Sequence, residues 1–255
     1  MRLSISNIGW VSESDEQIYK IMKKLDFRGL EIAPTRIFPE SPYDKSEDAK
    51  KWSESLKKEY GFCVPSMQSI WYGRQEKIFH SPEDREALTE YTKKAIDFAA
   101  AIGCGNLVFG CPRNRNIEGE YDPDVATDFF RTIGDYAASR GTTIGMEANP
   151  PIYNTNFIND TVSAIELIEQ VGSDGFKLNL DLGTVIQNRE NLSELIGKVS
   201  IINHVHISEP GLKPVEERKL HSELRDILVK ENYQGFVSIE MGKVDDIYLL
   251  EEKMK

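Results

Sequence analysis

From beginning to end the chain repeats one alternation, a short β-rich run followed by an amphipathic stretch with apolar residues at helical spacing. The β-rich runs fall near 2–6, 28–32, 62–67, 105–109, 143–147, 176–181, 201–206 and 236–240. The helical stretches follow near 14–25, 45–60, 82–102, 122–140, 159–171, 191–198, 216–231 and 244–253. Parallel strands need a long crossover, and a helix supplies it. Eight strand–helix units are the count of a closed (β/α)8 TIM barrel, a fold of about 250 residues that suits a chain of 255. The expected fold is therefore α/β, a single barrel domain over residues 1–255. A doubly wound open sheet is the rival, but its first turn is Gly-rich, and the loop after the first strand here reads SNIGW, without GxGxxG.

Local signals sharpen several boundaries. Ser12 or Ser14 can cap the first helix, and Ser14 is favoured because Gln17 completes a capping box. Ser81 precedes Pro82 and two acids, a strong helix start. The stretches that follow end at Gly103 and Gly141, both plausible caps. No Pro- or Ser-rich linker, low-complexity tract or short internal repeat divides the chain.

The formal net charge of −11 opposes binding to nucleic acid or to an anionic membrane and favours a small-molecule partner. No apolar run reaches the ~20 residues of a membrane span. The first residues, MRLSISNIGWVSESDE, lack a basic segment followed by an apolar stretch. Cys63, Cys104 and Cys111 are sparse, odd in number and without CxxC spacing, which reads as reduced thiols of a cytoplasmic protein. Exposed outer helices leave room for a homodimer.

Four late strands end in metal-binding chemistry: IGMEANP at Glu147, LNLDLGT at Asp181, NHVHISE at His204 and His206, and VSIEM at Glu240. The carboxyl ends of parallel strands open onto one face, where ligands bind. Spacings of 34, 25 and 34 residues between Glu147, Asp181, His206 and Glu240 each fit one strand–helix–strand step. Three carboxylates and one imidazole suit one divalent ion, Mn²⁺ or Mg²⁺ first, with Co²⁺ or Zn²⁺ also compatible. Alternation sends His204 and His206 to the same side. His206, nearer the mouth, is the expected ligand, and His204 one layer deeper would hydrogen-bond a ligating carboxylate.

These residues make the chain resemble the xylose isomerase-like TIM-barrel superfamily, in its sugar phosphate isomerase/epimerase branch. GLEI at Gly29–Ile32, AxxxGC at Ala99–Cys104, GCPRNR at Gly110–Arg115 and NYQGFVSIE near the carboxyl terminus carry the resemblance across essentially the whole chain. The resemblance implies metal ligation by Glu147, Asp181, His206 and Glu240. It also implies proton transfer by Glu147 and Glu240 on opposite faces of a sugar, and a mouth-lining role for Glu31. Two positions depart from the pattern. Thr184 stands where many members carry a histidine three residues after the aspartate, and Leu212, followed by Lys213, stands where the sugar epimerases have an arginine.

The expected reaction is isomerisation or epimerisation of a carbohydrate through an enediolate, on a sugar, sugar phosphate or cyclitol. An inosose-type dehydratase begins with the same proton abstraction, and a non-catalytic sugar-binding barrel is a reading from another class. An endonuclease is disfavoured, since four histidines supply too few ligands for a multi-metal site. Arg113 and Arg115 follow the fourth strand, where guanidinium groups could hold a phosphate or carboxylate. Trp10, Gln68 and Trp71 are candidates for a sugar-facing wall, with Asn149 and Lys213 at the mouth. His80 reads as a helix-start or surface residue and His221 as structural.

Overall fold

The computed structural model describes residues 1–255. Seven parallel strands form one sheet: β1 (Arg2–Ser6), β2 (Gly29–Glu31), β3 (Leu107–Phe109), β4 (Ile144–Met146), β5 (Phe176–Asp181), β6 (Ile202–Ile207) and β7 (Phe236–Ile239). Their order is β2-β1-β7-β6-β5-β4-β3, so β2 and β3 are the two edges. The expected third strand, 62–67, lies between those edges and bridges both. Cys63 and Met67 pair with Gly29 and Ile32 on the β2 side, and Met67 pairs with Leu107 on the β3 side. It is not a continuous strand. Pro65 offers no N–H to a ladder, so only isolated bridges form and the barrel closes at a seam.

Helices α1 (Asp15–Lys24), α2 (Pro34–Ile37), α3 (Ser46–Tyr60), α4 (Pro82–Ala101), α5 (Pro123–Ser139), α6 (Thr161–Val171), α7 (Leu182–Asn188), α8 (Lys219–Lys230) and α9 (Ile247–Met254) make up the helical layer. Ser81 caps α4 as expected, its Oγ accepting from Asp84 N at 3.1 Å. Ser14 does not cap α1. It has helical φ/ψ and closes a 3₁₀ turn over Ser12–Ser14, so its hydroxyl makes no cap bond. The helix expected over 191–198 is replaced by 3₁₀ turns at Leu192–Leu195 and Val199–Ile201, broken where Gly197 takes φ +81°. The helix of this unit is instead α7, which starts directly at the end of β5.

Strand alternation divides the barrel into two chemistries. Ile5, Leu30, Leu107, Phe109, Ile144, Met146, Leu178, Leu180 and Val205 belong to the apolar core. Most alternate positions are polar or glycine, with Val108 an apolar exception on the cavity wall, and several of the polar ones bond to one another inside the barrel. Ser4 Oγ lies 2.6 Å from Ser238 Oγ, and Asn106 Nδ2 donates to Ser66 Oγ at 3.0 Å and Asn179 Oδ1 at 3.2 Å. Such groups are tolerated in the interior because they are mutually satisfied.

Gly145 makes room for this network. A Cβ there would sit 2.4 Å from Asn106 Oδ1 and 3.1 Å from Asn179 Cβ. Gly145→Ala is therefore expected to lower stability by about 1–3 kcal/mol, the usual cost of overpacking. Gly105→Ala, where the nearest such contact is 3.9 Å, serves as the mild comparison. Urea unfolding midpoints test this, and a wild-type midpoint for Gly145→Ala would contradict the close approach.

Candidate active site

The carboxyl ends of the strands bring the acidic and imidazole side chains to one end of the barrel. Glu31 ends β2, Glu147 follows β4, Asp181 ends β5, His204 and His206 lie in β6, and Glu240 follows β7. The parallel register sets Asn179 beside His204 and Asp181 beside His206. At the deepest level Glu31 is fully buried with one oxygen between two imidazoles. His206 Nε2 and His204 Nε2 each lie 3.0 Å from Glu31 Oε2. The His206 contact is a hydrogen bond. The His204 contact is misaligned for one, and that ring nitrogen has no hydrogen-bond partner. The expected contact of His204 to a ring carboxylate is thus replaced by one to Glu31.

The other nitrogen of His206 faces outward. His206 Nδ1 lies 3.1 Å from Glu147 Oε2 and 3.2 Å from Glu240 Oε2. Donor atoms of Glu147, His206 and Glu240 all lie within 4.8 Å of one another, and a second such group is Glu31, His204 and His206. Asp181 joins neither group, although it lines the same cavity. Its Oδ2 accepts from Thr184 N at 2.8 Å as the cap of α7, and its Oδ1 accepts from the Ser208 hydroxyl.

Burial penalises the charged forms of Glu31, Asp181, His204, His206 and Glu240. It raises the Glu240 carboxyl to about 7, against the opposing pull of His206. It raises Asp181 too, with Glu147 adding to the shift. For His206 burial favours the neutral ring, but Glu240, Glu31 and the hydrogen bonds to Glu147 and Glu240 outweigh it and hold the imidazole well above its ordinary range. At Glu31 burial is overcome in the same way by the two histidines, which keep the carboxyl well below its usual range. Four acids therefore converge around two imidazoles, with the buried Arg115 guanidinium behind Glu147. The oxygen and nitrogen donors around His206 Nδ1 fit a divalent cation.

Several neutral side chains hold the carboxylates in place. Gln68 Nε2 lies 2.8 Å from Glu240 Oε1, 2.8 Å from Ser6 Oγ and 3.2 Å from Glu31 Oε1. Asn179 Nδ2 donates to Glu147 Oε2 at 3.0 Å, and Asn149 Nδ2 to Glu147 Oε1 at 3.0 Å. Gln68, Asn149, Glu147, Asp181 and Glu240 line a cavity of about 180 Å³. Sequence reasoning missed Asn179, Ser208 and Glu209. Asn179 shares the face of Asp181 two positions on. Glu209, also in the cavity wall, is gripped by Arg218 at 2.6 and 2.7 Å.

Other candidates fall elsewhere. Arg115, expected to hold an anion, is fully buried. Its Nη1 donates to Glu147 O and its Nη2 to Asn149 Oδ1, both at 2.9 Å, so it braces the cavity wall from behind. Burial lowers its pKa to about 10. Trp71 is buried with its indole N–H on Thr92 Oγ1, away from this cavity. Trp10 is likewise buried, donating to Asp15. Lys213 is exposed and does not line the cavity, whereas Leu212 does. Thr184 is buried, its hydroxyl 2.7 Å from Ala148 O and 3.0 Å from Asp181 Oδ2. His80 is at the surface beside Asp84, and His221 lies on α8.

The sequence model of the xylose isomerase-like TIM barrel matches residues 19–254. No curated protein sequence matches the chain. Among solved structures, 3-keto-D-glucoside 4-epimerase from E. coli superposes with a TM-score of 0.77 at 19% identity, covering 100% of this chain and 97% of that one. D-psicose 3-epimerase from Clostridium cellulolyticum H10 gives 0.79 at 15% identity, with 100% and 96% covered. A protein described as a probable 3-DHS dehydratase from Bacillus anthracis gives 0.69 at 15% identity, with 100% and 97% covered. At these identities the likeness is one of fold.

Arg113 and Arg115 are two residues apart but occupy opposite environments, one exposed and one buried. Removing Arg115 leaves buried acceptors at Glu147 O and Asn149 Oδ1 unpaired, each costing about 1–3 kcal/mol. Arg115→Met should therefore depress the thermal midpoint by several degrees, whereas Arg113→Ala leaves it unchanged. Equal midpoints in differential scanning calorimetry would refute the bracing role.

Proposed function

Since the chain belongs to the xylose isomerase-like TIM-barrel family, we propose that it is a divalent-metal-dependent carbohydrate isomerase or epimerase. The observation that carries this reading is the convergence of Glu147 Oε2 and Glu240 Oε2 on His206 Nδ1, at 3.1 and 3.2 Å. Glu147, His206 and Glu240 would hold the ion, with Asp181 completing the set. Mn²⁺ or Mg²⁺ suits these donors best, and Co²⁺ or Zn²⁺ is compatible. When bound, the ion supplies positive charge that polarises a carbonyl and lowers the cost of forming an enediolate.

The residues of the chain supply the rest. One glutamate takes the proton from the carbon beside the carbonyl, leaving its electron pair in the enediolate. Delivery of a proton by the other glutamate to the opposite face of that carbon completes an epimerisation. Return to the adjacent carbon gives an isomerisation. Gln68 and Asn149 hold one oxygen of each glutamate, leaving Oε2 of Glu240 and of Glu147 toward His206. Glu31 fixes the ring of His206 from behind, so Nδ1 keeps its outward aim.

A second reading follows from the shared fold with the dehydratase-described protein. A lyase would begin with the same proton abstraction and then expel hydroxide, which leaves as water after protonation. Mass spectrometry of products separates the two, because a lyase product is lighter by one water.

Purified protein supplied with Mn²⁺ and incubated in D₂O with ketoses, inososes and their phosphates should exchange deuterium into one substrate carbon. Glu147→Gln and Glu240→Gln should each reduce turnover by roughly 10²–10⁴-fold, the usual scale of acid–base assistance. Chelation should abolish exchange. Near-normal turnover in either variant would sink the two-base assignment, and Mn²⁺ uptake with no exchange on any compound would favour a binding role.

A further inference from the structure

Beside the inner cavity lies a second, larger recess with the opposite electrical character. The two share Ser69, Cys111 and Pro112 as a common rim. The inner cavity of about 180 Å³ is lined by Glu147, Asp181, Glu209 and Glu240, without a lysine or arginine. The outer groove, about 790 Å³, is lined by Arg74, Lys77 and Arg113, without an aspartate or glutamate. In a chain of net charge −11 this separation of signs is not the background.

The three cations differ in how free they are. Arg74 is paired with Glu76 and lies 4.7 Å from the ring centre of Tyr91. Lys77 is paired with the exposed Glu118. Arg113 makes no ion pair and no hydrogen bond, and its side chain is exposed to the groove. Its backbone is nevertheless held firmly. It sits in the 3₁₀ turn Pro112–Arg115, entered through Cys111 at φ +43° and anchored by buried Arg115. Asn114 Nδ2 donates to Glu76 O at 2.8 Å and Arg74 O at 3.2 Å, and Ile78 N donates to Asn114 O at 2.8 Å, which ties the two walls together.

We propose that this groove is a subsite for an oxyanion, a phosphate ester or a carboxylate, at the far end of a substrate whose reacting carbons occupy the acidic inner cavity, with Arg113 as its principal contact. The assignment of the inner cavity rests on the function proposed above; the groove itself does not. A guanidinium offers paired N–H donors that match phosphate and carboxylate geometry. The acids of the inner cavity repel an anion, so an anionic end has one favourable orientation across the shared rim. The substrate class is thus an elongated, singly ended anionic carbohydrate.

The test needs no turnover. Inorganic phosphate and acetate are titrated into the full chain at constant ionic strength in chloride, followed by NMR or calorimetry, for wild type, Arg113→Ala and Arg113→Lys. Phosphate or acetate should bind the wild type, bind Arg113→Ala roughly tenfold more weakly, as expected for loss of a charge-assisted hydrogen bond, and recover in part with Arg113→Lys. A tighter phosphate isotherm assigns a phosphate ester, and an acetate isotherm as tight assigns a carboxylate. No binding of either anion to the wild type, or equal binding to Arg113→Ala, overturns the subsite. Phosphate held on an ion in the inner cavity falls in that second class, because Arg113→Ala would leave it unchanged. Mn²⁺ titration of the same proteins keeps the two readings apart. Normal Mn²⁺ uptake with Arg113-independent anion binding sinks the subsite alone, while Arg113-dependent anion binding without Mn²⁺ uptake sinks the metal reading alone.

Discussion

The contact between Glu31 and His206 at the centre of the barrel governs the rest of the site. Both side chains are fully buried, and each favours the charged form of the other against the cost of burial. Glu31 takes Nε2 of His206, so Nδ1 has only one direction left to face, toward Glu147 and Glu240. The aim of the imidazole is therefore set by a carboxylate that lies beneath it. A cluster of this kind holds like charges together in a buried interior, and the structure does so with hydrogen-bonding amides. Gln68, Asn149 and Asn179 each neutralise part of a carboxylate's demand without adding charge.

Much of this was legible in the sequence, because strand alternation in a barrel is a two-sided code. Leu178, Asn179, Leu180 and Asp181 alternate between apolar core and polar interior, and the same rule places His204, Val205 and His206. Glu147, His206 and Glu240 come together as the spacing implies. Two elements escaped the pattern for local reasons. LGTVIQN is short, carries a glycine and β-branched residues, and gives little helical periodicity, yet Asp181 caps it into α7. Pro65 sits in a run of β-rich composition but interrupts its pairing.

The site's outer parts were harder to read, since neighbouring positions in a turn diverge in space. Arg113 and Arg115 look alike in GCPRNR, and the 3₁₀ turn sends one to the groove and the other beneath Glu147. Thr184 and Leu212 marked departures from the resemblance but did not show what replaces the missing groups. Thr184 turns its hydroxyl inward to Asp181 and Ala148, and Leu212 puts an apolar side chain on the cavity wall. A further acid, Glu209, stands in the same wall with Arg218 clamped to it.

The seam at Cys63–Gln68 has a mechanical meaning. Its backbone joins both edges of the sheet: Leu30 N donates to Cys63 O at 2.9 Å and Gln68 N to Ile32 O at 2.8 Å on the β2 side, and Met67 N donates to Asn106 O at 2.9 Å and Val108 N to Met67 O at 2.8 Å on the β3 side. Gln68 is mounted at the end of that seam, with its amide in contact with Glu31 and Glu240. The closing line of the cylinder thus terminates at a residue touching both the deepest and one of the outermost acids. The segment that closes the cylinder therefore also carries the amide that links its deepest acid to one nearer the mouth.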